Sequence, residues 1–233
     1  MVATTTVEGA CPAPYVVVMR LSTLRNYPYI SQLIWSVLVV AFLAALATAR
    51  WSLAFVSVLA LVLSLLPVLA DGRFGIRLPM RFVAAIVVFV FATIFLGEAF
   101  DFYNRFWWWD IALHGGSAVG FGLIGFLFVF MLFEGNLYAA PAWAVGFMSF
   151  CFALTIGAVW EIFEFAMDQI FGLNMQKSGL IDTMWDLILD TIGAATGAFT
   201  GFLYLKGRSL GGLTGVLQEF IQKNRRHFRK FRR

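Results

Sequence analysis

Residues 110–133, DIALHGGSAVGFGLIGFLFVFMLF, decide the class of fold. Asp110 and His114 stand at the start, and no ionisable residue follows from Gly115 to Phe133. A helix of about twenty apolar residues crosses the roughly 30 Å hydrocarbon core of a bilayer. Comparable runs recur along the chain and predict spans over 31–49, 51–70, 82–98, 111–133, 142–167 and 184–205. The runs are continuous rather than alternating, which argues against a β-barrel. Of the 233 residues 61% are hydrophobic and 13% charged, against about 25% charged in a soluble domain. The expected fold is all-α, a polytopic transmembrane helical bundle of about six spans. Residues 1–30 form an N-terminal segment, 31–205 the bundle and 206–233 a basic tail, with no second soluble domain. A five-span alternative treats the first two runs as a broken hairpin.

Charge sets the orientation. From Lys206 onward there are nine Lys/Arg and one acid, Glu219, so the tail carries +8 and the remainder −4. Arg20, Arg25, Arg73, Arg77, Arg81 and the tail share one side of a six-span chain, and Arg50, Arg105 and Lys177 the other. The positive-inside rule then makes both termini cytoplasmic, and the expected location is the inner (plasma) membrane. No long apolar region precedes a small-residue cleavage site near the N-terminus, so the first span is expected to act as an uncleaved signal. Trp107-Trp108-Trp109 is an interfacial anchor. Asp71–Pro79 and Glu134-Gly135-Asn136 are turns. Cys11 and Cys151 make no disulfide framework or metal motif.

The same topology brings acids together at the outer ends of the last three spans. They read Asp110-x3-His114, Glu161-x2-Glu164-x3-Asp168 and Asp182-x3-Asp186-x3-Asp190. At about 100° per residue each set shares one helix face. At about 1.5 Å rise, His114, Glu164 and Asp186 fall in a shallow layer and Glu161 and Asp190 in a deeper one. A carboxylate near mid-bilayer costs about 2.5–3.5 kcal/mol, and such groups usually mark function. Too few cations lie on that side to neutralise them. The carboxyls are then protonated, line a watery cavity or bind a cation. Carboxylates with an imidazole suit Zn, Mn or Fe, and an all-oxygen subset suits Mg or Ca. His114, Glu161, Glu164 and Asp186 are the candidate metal ligands, with Asp190 and Asp110 as catalytic base or supporting groups.

Blander roles compete for several of these residues. Asp168 and Asp182 fit interface duty, and Asp182 or Asp110 could cap a helix. Trp160 and Trp185 fit packing better than a site wall. Gly193-x3-Gly197-x3-Gly201 and Gly116-x3-Gly120 are small-residue stripes for close internal helix approach. In the tail, Leu213, Val216, Leu217, Phe220 and Ile221 have helical spacing, followed by Lys223, Arg225, Arg226, Arg229, Lys230, Arg232 and Arg233. This suits an amphipathic segment on anionic membrane lipids, and nucleic acid is the weaker reading. Walker, G-x-S-x-G, H-E-x-x-H and Rossmann motifs are absent from the sequence. No span carries a histidine pair, which argues against haem between spans.

Three segments carry a family resemblance: Asp110-x3-His114 with the small residues after it, Trp160-Glu161-x2-Glu164, and Ser178-Gly179-Leu180-Ile181-Asp182-Thr183-Met184-Trp185-Asp186-x3-Asp190-x2-Gly193-Ala194. Over about residues 80–205 the chain resembles the YjdF-type family of bacterial and archaeal inner-membrane proteins, itself similar to VanZ-like proteins in the D-x-x-x-H segment. The resemblance implies a multi-pass bundle with these acids as its signature, and no established activity. Three functions stay open. One is a cation centre acting on a lipid-linked or envelope substrate; the others are a proton-coupled transporter and an accessory subunit whose acids dock a membrane-protein partner.

Overall fold

A computed structural model describes Leu24 and residues 26–70, 75–133 and 140–228. Outside them lie Cys11, Arg20, Arg25, Arg73, most of the N-terminal segment, the Glu134-Gly135-Asn136 turn and the basic residues from Arg229 onward. Among the described residues every regular element is helical. The elements are α1 Tyr29–Ala47, α2 Trp51–Ala70, α3 Met80–Val90 continuing as a π-helix Phe91–Ala99, and α4 Phe102–Arg105. Then follow α5 Trp109–Phe133, α6 Ala142–Phe171, α7 Leu180–Leu205, α8 Gly211–Lys223 and α9 Arg225–Phe228. Six helices are long and apolar enough to cross a membrane: α1, α2, α3 with its π continuation, α5, α6 and α7. That is the expected number, and both halves of the proposed hairpin are full-length helices.

Local chemistry sets several boundaries. Pro28, Pro79 and Pro141 stand immediately before α1, α3 and α6, where a missing backbone N–H leaves no helical bond unmade. α6 stops at Gly172, whose φ of +66° is left-handed and whose N–H donates to the Asp168 carbonyl at 3.0 Å. Glycine takes that conformation without a Cβ clash.

The spans form two groups of three. α1, α2 and α3 close around Leu38, Ala60, Val83 and Val87, and the Trp35 indole N–H donates to Ser64 Oγ at 3.1 Å. In α5, α6 and α7 the contact is closer because side chains are missing from it. A Cβ at Gly193 would lie 2.6 Å from the Gly115 carbonyl oxygen, and one at Gly197 2.8 Å from Gly122 Cα. Lipid tails are as apolar as the side chains, so this backbone approach and its dispersion contacts hold the helices together.

The stripe Gly193, Gly197, Gly201 therefore packs internally, as its spacing predicts. Its counterpart on α5 is not Gly116 and Gly120, around which a Cβ would meet nothing within 4 Å. The packed face carries Ala118 and Gly122, two residues further on in each case. Two residues turn a helix by about 200°, so Gly116 and Gly120 face away.

The tail helix forms where expected, but its apolar face is already covered. Leu217, Phe220 and Phe228 are buried with Phe126, Leu127, Val129 and Val145, at the end of α5–α7 opposite the acids.

Candidate metal centre

Helix pitch and the short α6–α7 connection help bring three acid-bearing helix ends to one place. Asp110 is in the first turn of α5, and His114 one turn deeper. Glu161 is buried on α6, and Asp186 and Asp190 on α7. His114 is the hub, with its side chain 11% exposed. Its Nδ1 lies 3.4 Å from Asp190 Oδ1 and 3.9 Å from Glu161 Oε1. Its Nε2 lies 3.9 Å from Asp110 Oδ1. The imidazole thus bridges the deep and shallow layers instead of belonging to the shallow one alone.

Asp110, His114 and Asp186 each offer a ligand atom, and these atoms all lie within 4.8 Å of one another. One ion could be held among them. Beside this trio, both Oε atoms of Glu161 and Oδ2 of Asp190 are buried without a hydrogen-bond partner. Glu161 is only 3% exposed. Unpaired buried carboxylate oxygens cost several kcal/mol each unless a proton or a cation satisfies them. Among the described residues no Lys or Arg forms an ion pair with any of these acids.

Glu164 is set apart. Its Oε1 accepts the Trp160 indole N–H at 2.9 Å on a half-exposed stretch of α6, so Trp160 anchors a carboxylate as well as packing. Asp168 and Asp182 do structural work. Asp168 accepts the backbone N–H groups of Met175 at 2.7 Å and Gln176 at 2.9 Å. Asp182 accepts that of Lys177 at 3.1 Å. Gln176 Nε2 also donates to Thr183 Oγ1 at 2.5 Å, and together these bonds shape the loop over the site. Asp182 is not the N-cap of α7; Gly179 holds that position with φ of +65°. Asp110 likewise lies inside α5 rather than capping it.

Two residues escape a reading of the sequence. A Cβ at Gly157 would overlap Asp190 Oδ2, so the missing side chain makes the notch that seats that carboxylate. Gly157 is one turn before Glu161 on the same face, a spacing that could have flagged it. Tyr103, on α4, packs its ring against Gly97 of the π-helix, with the Lys177 ammonium 4.4 Å from the ring centroid. It ties the third span to the site. Burial pushes its phenol above the ordinary value, reinforced by Asp110, Glu98 and Glu164. A π-helix is rare and often accompanies a functional position, and apolar sequence alone gives no sign of it.

No solved structure matches this chain. An uncharacterised protein of Thermotoga maritima is 32% identical over 107 residues, covering 46% of this chain and 54% of the relative. The chain therefore spans about half the length of that curated relative. A family model described as predicted membrane protein (DUF2238) matches residues 30–207, which include all six spans and every acid of the cluster. This chain belongs to the DUF2238 family of predicted membrane proteins.

Proposed function

We propose that this chain is a multi-pass inner-membrane protein that binds a divalent cation at the outer ends of α5, α6 and α7. Both termini are cytoplasmic in this reading, and residues 31–205 are the membrane domain. The observation that carries it is the Asp110–His114–Asp186 trio, with ligand atoms within 4.8 Å, beside the unpartnered buried oxygens of Glu161 and Asp190. A mixed nitrogen and oxygen set suits zinc, manganese or iron. Glu161, whose Oε1 lies 3.9 Å from His114 Nδ1, is a further candidate ligand, whereas Glu164, bonded to Trp160, is set apart and not required. A cation here would act as a Lewis acid or activate water toward a lipid-linked or envelope substrate. Asp110 is the most exposed of the three ligands at 29%, and Asp190, 3.4 Å from His114 Nδ1, supports the imidazole. The YjdF-type and VanZ-like resemblance belongs to the same reading, since its signature segments supply these residues.

A proton-coupled transporter is less well supported. In the far halves of α6 and α7 the buried hydroxyls of Ser149 and Thr200 are bonded to their own helix backbones, at 2.6 and 2.8 Å, and offer no relay. The test is metal analysis of purified wild-type protein against His114→Ala and Asp186→Ala. A stoichiometric partner co-purifying without metal would favour an accessory subunit instead.

A further inference from the structure

The far end of the molecule carries a second charged feature, independent of the acidic centre. α8 and α9 fold back and are clamped to the connection between the second and third spans. The Arg77 backbone N–H donates to Asn224 Oδ1 at 2.6 Å, and Asn224 Nδ2 donates to the Arg77 carbonyl at 2.7 Å. The same nitrogen reaches the Phe220 carbonyl at 2.8 Å. Asn224 is 3% exposed, so this amide imitates a strand partner in a closed environment. His227 Nε2 lies 2.8 Å from the Gly75 carbonyl. Arg77, Arg81, Arg208, Lys223, Arg225 and Arg226 all stay exposed around this joint. Lys223 is paired with Glu219 at 3.1 Å, and among the described residues the other five form no ion pair.

We propose that the clamped tail and the loop bearing Arg77 form one cationic platform that binds anionic phospholipid headgroups. The apolar side of α8 is spent on Phe126, Val129 and Val145. The tail therefore meets lipid through its charges and does not insert its apolar side chains. Headgroup binding is then Coulombic and strongly salt-dependent. Because its charges come from sequence regions 147 residues apart, the platform depends on the Asn224 joint.

The test uses the full chain in a nonionic detergent. Short-chain phosphatidylglycerol and phosphatidylcholine are titrated in parallel, and bound lipid is counted by native mass spectrometry. The platform predicts preference for phosphatidylglycerol at low salt and its loss near ~1 M salt, where the screening length is about 3 Å. Neutralising two exposed charges in R225Q/R226Q should weaken phosphatidylglycerol binding about thirty-fold while leaving phosphatidylcholine unchanged. N224A, with all charges kept, should lose part of the preference. Equal binding of the two lipids overturns the proposal. So does phosphatidylglycerol binding that survives high salt, which would mean apolar insertion. Short duplex DNA bound as tightly as phosphatidylglycerol would also overturn it, in favour of a nucleic-acid surface. Metal content plays no part in any of these readouts.

Discussion

Gly157→Ala is the sharpest probe of the centre, because it adds one methyl group and removes no ligand. A Cβ at this position would overlap Asp190 Oδ2 and lie 2.8 Å from Asp190 Cγ and 3.1 Å from Asp190 Cβ. Ordinary contact begins at 3.4 Å, so Cγ must retreat by about 0.6 Å, and Oδ2 by more. The carboxylate cannot do this and also keep Oδ1 at 3.4 Å from His114 Nδ1. A carboxylate behind a metal-binding histidine fixes the ring, and its loss typically lowers metal affinity about 10–100-fold. Overpacking costs about 1–3 kcal/mol of stability in addition. Equilibrium dialysis against zinc and manganese, with melting followed in the same detergent, separates the two effects. Gly157→Ala should bind metal about as weakly as Asp190→Asn while still melting cooperatively. Wild-type affinity in Gly157→Ala would refute the idea that Asp190 and its notch position His114.

Other consequences can be checked separately. Gly197→Leu places a side chain where Val119 O is 2.5 Å and Gly122 Cα 2.8 Å from the Cβ. It should lower stability by more than about 3 kcal/mol, whereas Gly120→Ala, facing open space inside a helix, should leave it unchanged or raise it by up to about 1 kcal/mol; equal melting of the two would contradict the assigned face. Asp168→Ala frees two backbone N–H groups and should cost about 1–3 kcal/mol, seen as faster hydrogen exchange confined to residues 172–179. The Tyr103 phenol titrates above its ordinary value near 10. A raised folded value gives a contribution intact below pH 10 that is lost as pH rises toward the folded value. Tyr103→Phe should therefore flatten the alkaline fall in melting temperature, and an unchanged slope above pH 10 would place Tyr103 in solvent.

Span number was legible because crossing a bilayer needs a run of apolar residues that composition cannot hide. The acid ends were legible because six spans with short connections leave little choice of neighbours. Which face of α5 meets α7 was not, since a helix apolar all round offers several small-residue stripes and only packing selects Ala118 and Gly122 over Gly116 and Gly120. The tail shows the same ambiguity. Leu217 and Phe220 mark an apolar face, but periodicity does not say whether lipid or protein covers it. Glu164 shared a helix face with Glu161 and stood beside it as a candidate ligand, and a hydrogen bond from Trp160, four residues earlier, draws it aside. Tyr103 lay outside every periodic segment, and its role depends on the π-helical stretch that puts Gly97 beneath its ring.

The central claim is that the Asp110–His114–Asp186 trio holds a cation. Elemental analysis of chain purified without chelators, in wild-type, His114→Ala, Asp186→Ala and Glu164→Gln forms, tests it most directly. About one divalent ion per chain is expected in wild type and Glu164→Gln, and almost none in the other two. Equal and negligible metal in all four proteins, each folded and reloaded with zinc or manganese, would contradict it.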